Sequence, residues 1–344
     1  MNRERIISVV GYGAFFWFMF WLFAYWTFPY DRLAAFITDK VAESGSGYTL
    51  EIGSLSPHWL TGVELEEVKV QKSAAATLAA PTDDKGKPLP TPALRIDQAH
   101  ARIGLLGLLF GSRSLSFDAE IGDGEIEGRY KESSDEKHIE ATIENVDMAK
   151  LGLLESFVTL PMKGNMNGEI DLTLGEVPAK TSGSVKIDVK NLTIGDGKAK
   201  FKLGSMGGLT IDPIAAGEVN LLVDVKEGVG NIKKLTTSGP DLKLEGSGDI
   251  RFAQPIARSR LGVLMKLKLT DTYKNKTART KTMFSLLEGS SVPQVAAAKT
   301  ADGAYQLRLG GTLKSVRALP AGQQSLGAPG VGAPIVAAPG DEEE

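Results

Sequence analysis

The side chains with the most capacity for acid–base or metal chemistry are three histidines, His58, His100 and His138. Metal-binding sequences usually bring their ligands close along the chain, as with two histidines one helical turn apart. None of the three has a second histidine or a carboxylate at such a spacing, so each reads as an ordinary surface or half-buried side chain. No metal and no cofactor is expected. Cysteine is absent, which removes disulfides, thiolate ligands and cysteine nucleophiles. The stretch Ser44-Gly45-Ser46-Gly47-Tyr48 is glycine-rich but lacks the Lys-Ser/Thr pair of a phosphate loop. No nucleophile elbow or dinucleotide fingerprint occurs. Gly122-Asp123-Gly124 and Gly195-Asp196-Gly197 carry too few oxygen ligands for calcium. They read as hairpin turns, where Asp-Gly supplies positive φ. Nothing singles out a catalytic carboxylate pair. The chain reads as non-enzymatic.

The elements around these residues are mostly strands. Runs such as 63–70, 94–103, 169–174, 184–194, 218–227, 242–252 and 260–271 alternate apolar with polar residues. In the last, Leu261, Val263, Met265, Leu267 and Leu269 share one face, while Lys266 and Lys268 take the other. This is the pattern of an antiparallel sheet with one buried face. Apolar-Gly junctions at Met162 to Gly168, Leu244 to Gly248 and Leu309 to Gly311 suggest a meander of hairpins. The composition, with 39 basic and 42 acidic residues and a net charge of −3, provides no field for nucleic acid. The expected fold is therefore mainly β: a large, mostly antiparallel sheet domain with a few short helices, behind one N-terminal transmembrane helix.

That helix is expected over residues 6–28, an uncharged run whose 23 residues would reach ~35 Å as a helix, against ~30 Å of hydrocarbon. It is too long and aromatic for a cleaved signal peptide, so it reads as a signal anchor. Arg3 and Arg5, partly offset by Glu4, favour a cytoplasmic tail over residues 1–5 and an exported body. Residues 29–47 form a juxtamembrane helix, with Leu33, Phe36, Ile37 and Val41 on one face against the domain. The β-rich body covers 48–317, broken by a Pro/Ala-rich excursion at 73–93. Residues 318–344 are a Pro/Gly/Ala tail that cannot bury enough surface to order.

Several apolar residues are set apart. Trp59 and Leu60 follow Pro57 and are either a partner contact or a core anchor, the second being favoured by size. Leu105, Leu106, Leu108, Leu109 and Phe110 lie in the Gly-Leu-Leu-Gly-Leu-Leu-Phe-Gly run at 104–111, expected as a short helix plugging one end of the sheet. Tyr273 and Lys274 open a late helix over 271–287, on its exposed side.

Two stretches go beyond composition. One combines Leu-Ser-Pro-His-Trp-Leu-Thr-Gly-Val (55–63) with the Leu/Gly run at 104–111 and the strands around them. The other contains Gly-Pro-Asp-Leu-Lys-Leu-Glu-Gly-Ser-Gly (239–248) and Asp-Thr-Tyr-Lys (271–274). Together with the anchor and Phe28-Pro29-Tyr30-Asp31-Arg32-Leu33, they resemble the GspN family of type II secretion proteins, of the deltaproteobacterial kind, over about residues 6–315. The first stretch also resembles, more distantly, the start of AsmA-like proteins. The GspN resemblance implies an accessory secretion component of the inner membrane, its body in the periplasm, acting through contacts with other secretion-system components. The AsmA-like resemblance implies a curved sheet forming a groove, with lipid as the partner.

Overall fold

The computed structural model describes residues 3–43, 48–59, 61–72, 93–104, 107, 112–151, 160–198, 200–203, 206–289, 293–313 and 315–321. The alternating runs form seventeen strands. These are β1 (Tyr48–Glu51), β2 (Ser54–His58), β3 (Gly62–Lys72), β4 (Ala93–Ile103), β5 (Arg113–Ile121), β6 (Gly124–Glu132), β7 (Glu136–Asp147), β8 (Met162–Gly175) and β9 (Ser182–Ile194). They continue as β10 (Lys200–Leu203), β11 (Met206–Thr210), β12 (Ile214–Lys226), β13 (Val229–Thr237), β14 (Leu242–Arg251), β15 (Arg260–Leu269), β16 (Tyr305–Thr312) and β17 (Ser315–Pro320). Fifteen of them make a single antiparallel meander, with β1 and β2 sharing β3 at one end and β17 closing the other.

The one break in chain order lies between β9 and β12, which pair directly while β10 and β11 form a separate two-stranded ribbon. The second Gly-Asp-Gly therefore does not turn a hairpin of the main sheet, as expected, but opens this excursion. The first does turn one, between β5 and β6. There Gly122 and Asp123 are the central residues, and Gly122 takes φ 63°.

Register sorts the side chains onto two faces. One row runs through Val63, Ala101, Phe117, Gly128, Ala141, Ile170, Val185, Val223 and Ile232, with no polar side chain. The neighbouring row holds Leu65, Ala99, Ala119, Ile126, Ile143, Gly168, Ile187 and Leu221. Gly128 is part of this packing, because a Cβ there would run into the Phe117 ring, which covers the gap. The opposite face carries Glu64, His100, Asp118, Glu127, Thr142, Glu169 and Lys186 in one row. Burial of the apolar face drives the fold, at about 25 cal/mol per Å² of apolar surface removed from water.

The sheet is curved. Gln254, in the connection after β14, donates its amide to the Gly175 carbonyl at the end of β8. In the sheet, β8 and β14 are four strand spacings apart, about 19 Å if flat. Phe252 likewise packs against the cluster of Leu172, Val223 and Val225.

Five α-helices are found among the described residues. A helix forms at the expected N-terminal site, α1 (Arg3–Thr27), but among the described residues no helix is long and apolar enough to cross a membrane. The helix expected over residues 6–28 is thus present, but its spanning of a membrane is not shown. Side chains of α1 are described from Val10 on, Ala24 excepted. Its large side chains from Val10 to Phe23 are 44–75% exposed, the half-buried Met19 excepted, and a Cβ added at Gly11 or Gly13 would meet nothing within 4 Å beyond the helix's own backbone. The next helix, α2 (Tyr30–Glu43), packs on β1 and β2. Leu33, Ile37 and Val41 are half-buried, while Phe36 is exposed.

The late helix is split into α3 (Asp271–Lys274) and α4 (Ala278–Gly289), followed by α5 (Pro293–Ala298) against β16 and β17. Tyr273 corrects the expectation of an exposed side: it is fully buried. Thr270 caps α3 by accepting from the Tyr273 amide. The ring turns inward to meet Phe284 edge-on at 6.1 Å between centroids, and its hydroxyl donates to the Asp212 carbonyl at 2.7 Å. Burial first, then the Asp212 and Asp241 carboxylates, push its phenol well above the usual range. Lys274 lies over the Phe284 ring at 5.6 Å.

Candidate functional site

Two features stand apart from ordinary packing, one on each face of the sheet. On the apolar face, most side chains between β3 and β13 are only half-buried, among them Val63, Phe117, Ile126, Ile170, Val185, Ile187, Leu221 and Ile232. In a covered core such residues would be almost wholly enclosed. Among the described residues, the α-helices that pack extensively on strands are α2, on β1 and β2, and α5, on β16 and β17. The long middle of the face has no such helix over it among the described residues.

The polar face gathers two of the histidines, correcting their reading as isolated. The turn between β2 and β3 pairs His58 with Gly62, which sets Glu64 two residues further on the same face. Register then places Glu64 opposite His100, and His100 opposite Asp118. Glu64 Oε2 lies 3.7 Å from His58 Nδ1, and its Oε1 lies 3.7 Å from His100 Nε2. The two imidazoles stack at 4.3 Å between centroids, tilted by 48°. The other nitrogen of His100, Nδ1, is 2.6 Å from Asp118 Oδ2. Gln98 donates to Glu64 Oε1 and reaches within 3.4 Å of His100 Nε2. Beside the imidazoles opens a cleft of about 190 Å³, lined also by Arg102 and Ser116. The third histidine is different. His138 has Thr173 Oγ1 at 3.0 Å on one nitrogen and Glu140 Oε1 at 2.8 Å on the other.

No family model, curated protein or solved structure matches this chain. Function must therefore be argued from these two faces.

Of the residues set apart in the sequence, Trp59 is not a core anchor: it stands in the turn between β2 and β3 with φ 55° and is 73% exposed. Its place in the turn explains this, since a large residue there has no facing strand to pack against. Leu60, Leu105, Leu106, Leu108, Leu109 and Phe110 lie outside the described residues, and so does nearly all of the 73–93 excursion and the tail beyond 321. What the sequence reading missed is the His58–Glu64–His100 cluster. Recognising Pro57-His58-Trp59-Leu60-Thr61-Gly62 as a hairpin turn would have linked His58 to Glu64.

Proposed function

We propose that this chain is a non-enzymatic, membrane-anchored protein of the bacterial envelope that holds the acyl chain of a lipid along the apolar face of its sheet, as an AsmA-like protein would. The observation that carries the reading is the mostly half-buried apolar row from Val63 to Ile232, without an extensive helical layer over its middle among the described residues. Such a row offers an occupant dispersion and exclusion of water, but no hydrogen bonds. That chemistry favours hydrocarbon over peptide, whose backbone groups would lose their water partners uncompensated. Each methylene buried would contribute about 0.8 kcal/mol, so a chain of about ten is held usefully even after its ordering cost.

The anchor in this reading is α1, crossing the inner membrane with its N-terminus in the cytoplasm and the sheet in the periplasm. Ile6, Ile7 and Val9 extend the apolar run N-terminally in the sequence. Phe15, Phe16, Trp17, Phe18 and Phe20, 55–68% exposed, point outward over more than a full turn. A helix apolar on all sides suits lipid as its surroundings.

The second reading is an accessory component of type II secretion, acting through protein contacts. Two things favour it: the GspN resemblance and the exposed Trp59, a residue type enriched in interface anchors. Deleting the gene and measuring both the secreted proteome and the outer-membrane lipids separates the two. Disturbed lipids with intact secretion support lipid handling. Exported proteins retained in the periplasm with normal lipids support the secretion role and overturn the first reading.

A further inference from the structure

We infer that His58, Glu64 and His100 form a binding site for one divalent transition-metal ion of the zinc type, with Asp118 orienting His100. The three offer one ligand atom each, all within 4.8 Å of one another. Zinc takes imidazole nitrogen and carboxylate oxygen at about 2.0–2.2 Å, which in a tetrahedron puts neighbouring ligand atoms roughly 3.3–3.5 Å apart. The two observed 3.7 Å separations need to close by only a few tenths of an ångström.

An independent observation points the same way. Asp118 holds Nδ1 of His100 at 2.6 Å, so with the proton on Nδ1 the Nε2 lone pair faces the Glu64 carboxylate. The Gln98 amide donates to Glu64 Oε1 and lies 3.4 Å from Nε2, so it bridges these two electron-pair donors, and a cation would replace that bridge by coordinating both. A carboxylate on the far nitrogen of a ligating histidine is also the usual way to fix its tautomer and ring orientation. The local charge agrees: two carboxylates and one guanidinium, Arg102, leave an excess of one negative charge for the ion to offset.

Imidazole ligands favour zinc, cobalt, nickel or copper over calcium and magnesium, which prefer all-oxygen sites. Three protein ligands leave a fourth position open to water or an anionic group. The ion would tie β2, β3 and β4 together at the end of the sheet next to α2.

The test uses the full chain in detergent micelles, free of any polyhistidine tag, titrated with Co²⁺ as a spectroscopic probe and then with Zn²⁺. Wild type is expected to bind one equivalent with the visible bands of tetrahedral cobalt, and Zn²⁺ to displace it and raise the melting temperature. His58→Ala and His100→Ala each remove the bands and the thermal shift, and Asp118→Asn weakens binding by about 10–100-fold. His138→Ala leaves both unchanged, and circular dichroism of each metal-free variant checks that it folds. Absence of stoichiometric binding by wild type overturns the assignment. So does binding that survives both histidine replacements, or that His138→Ala abolishes equally.

Discussion

Two parts of this molecule bring charged side chains together from distant strands, and they do so in opposite ways. Around α3 and α4, Asp241 is buried and accepts from the Ala215 amide at 2.9 Å and from Lys276 Nζ at 2.7 Å. Asp212 accepts from Arg279 at 3.1 Å and from the Thr277 hydroxyl, while its carbonyl takes the Tyr273 hydroxyl. Each donor has an acceptor, and the helices are pinned to Asp212 and Asp241. At the other end, His58, Glu64 and His100 are half-exposed and converge at separations too long for hydrogen bonds. A network satisfied from within holds a fold together. In the second, Glu64 and His100 turn acceptors toward each other across one amide, Gln98, a bridge that an ion brought from outside would replace.

The sharpest way to break this contrast is to damage the satisfied end. Tyr273→Ala removes a fully buried ring and its hydrogen bond and should cost about 3–5 kcal/mol in chemical denaturation. A loss under 1 kcal/mol would mean that the helices are not fastened there. Next comes Asp241→Ala, which leaves the Ala215 amide without its partner. Lys276 is partly exposed and can return to water, so the expected loss is about 2–3 kcal/mol. At the other end, His100→Ala in metal-free protein should cost only about 1 kcal/mol, the loss of one hydrogen bond to the partly exposed Asp118. A large loss would make the histidine cluster a second structural network and erase the distinction.

The smallest effect concerns the polar face beside the cluster. Glu125 lies directly opposite both Glu120 and Glu144. Desolvation first, then Glu127, Asp118, Glu120 and Glu144, raise its pKa. A carboxyl raised in the folded state favours folding when protonated and opposes it when ionised. Glu125→Gln should therefore raise the melting temperature slightly at pH 7. That gain should fade as pH falls through the carboxylate range, which thermal melts at several pH values would follow. A gain equally large in acid would rule out charge as its cause.

Much of the sheet was legible in the sequence because alternation alone fixes which residues share a face. Leu261 to Leu269 fell on one face as expected, and β14 and β15 pair Leu244 with Leu267 across it. The helical period of α2 likewise placed Leu33, Ile37 and Val41 toward the strands. The histidine cluster was not legible. Glu64 and His100 meet through the pairing of β3 with β4, and these strands lie too far apart in sequence for a two-residue hairpin to fix their register. Tyr273 was misplaced because a four-residue helix has too little period to reveal its inner face. The curvature joining Gly175 to Gln254 has no local signature either, since it arises from the twist of many strands together.

The most direct test of the central claim is crosslinking in living cells from the two faces of the same strands. A photoreactive amino acid would replace Ile170 or Ile187 on the apolar face, and Glu169 or Lys186 on the opposite one, with adducts identified by mass. The account predicts lipid adducts at Ile170 and Ile187 and none at Glu169 or Lys186. Lipid absent from both apolar positions, or captured equally on both faces, would contradict it.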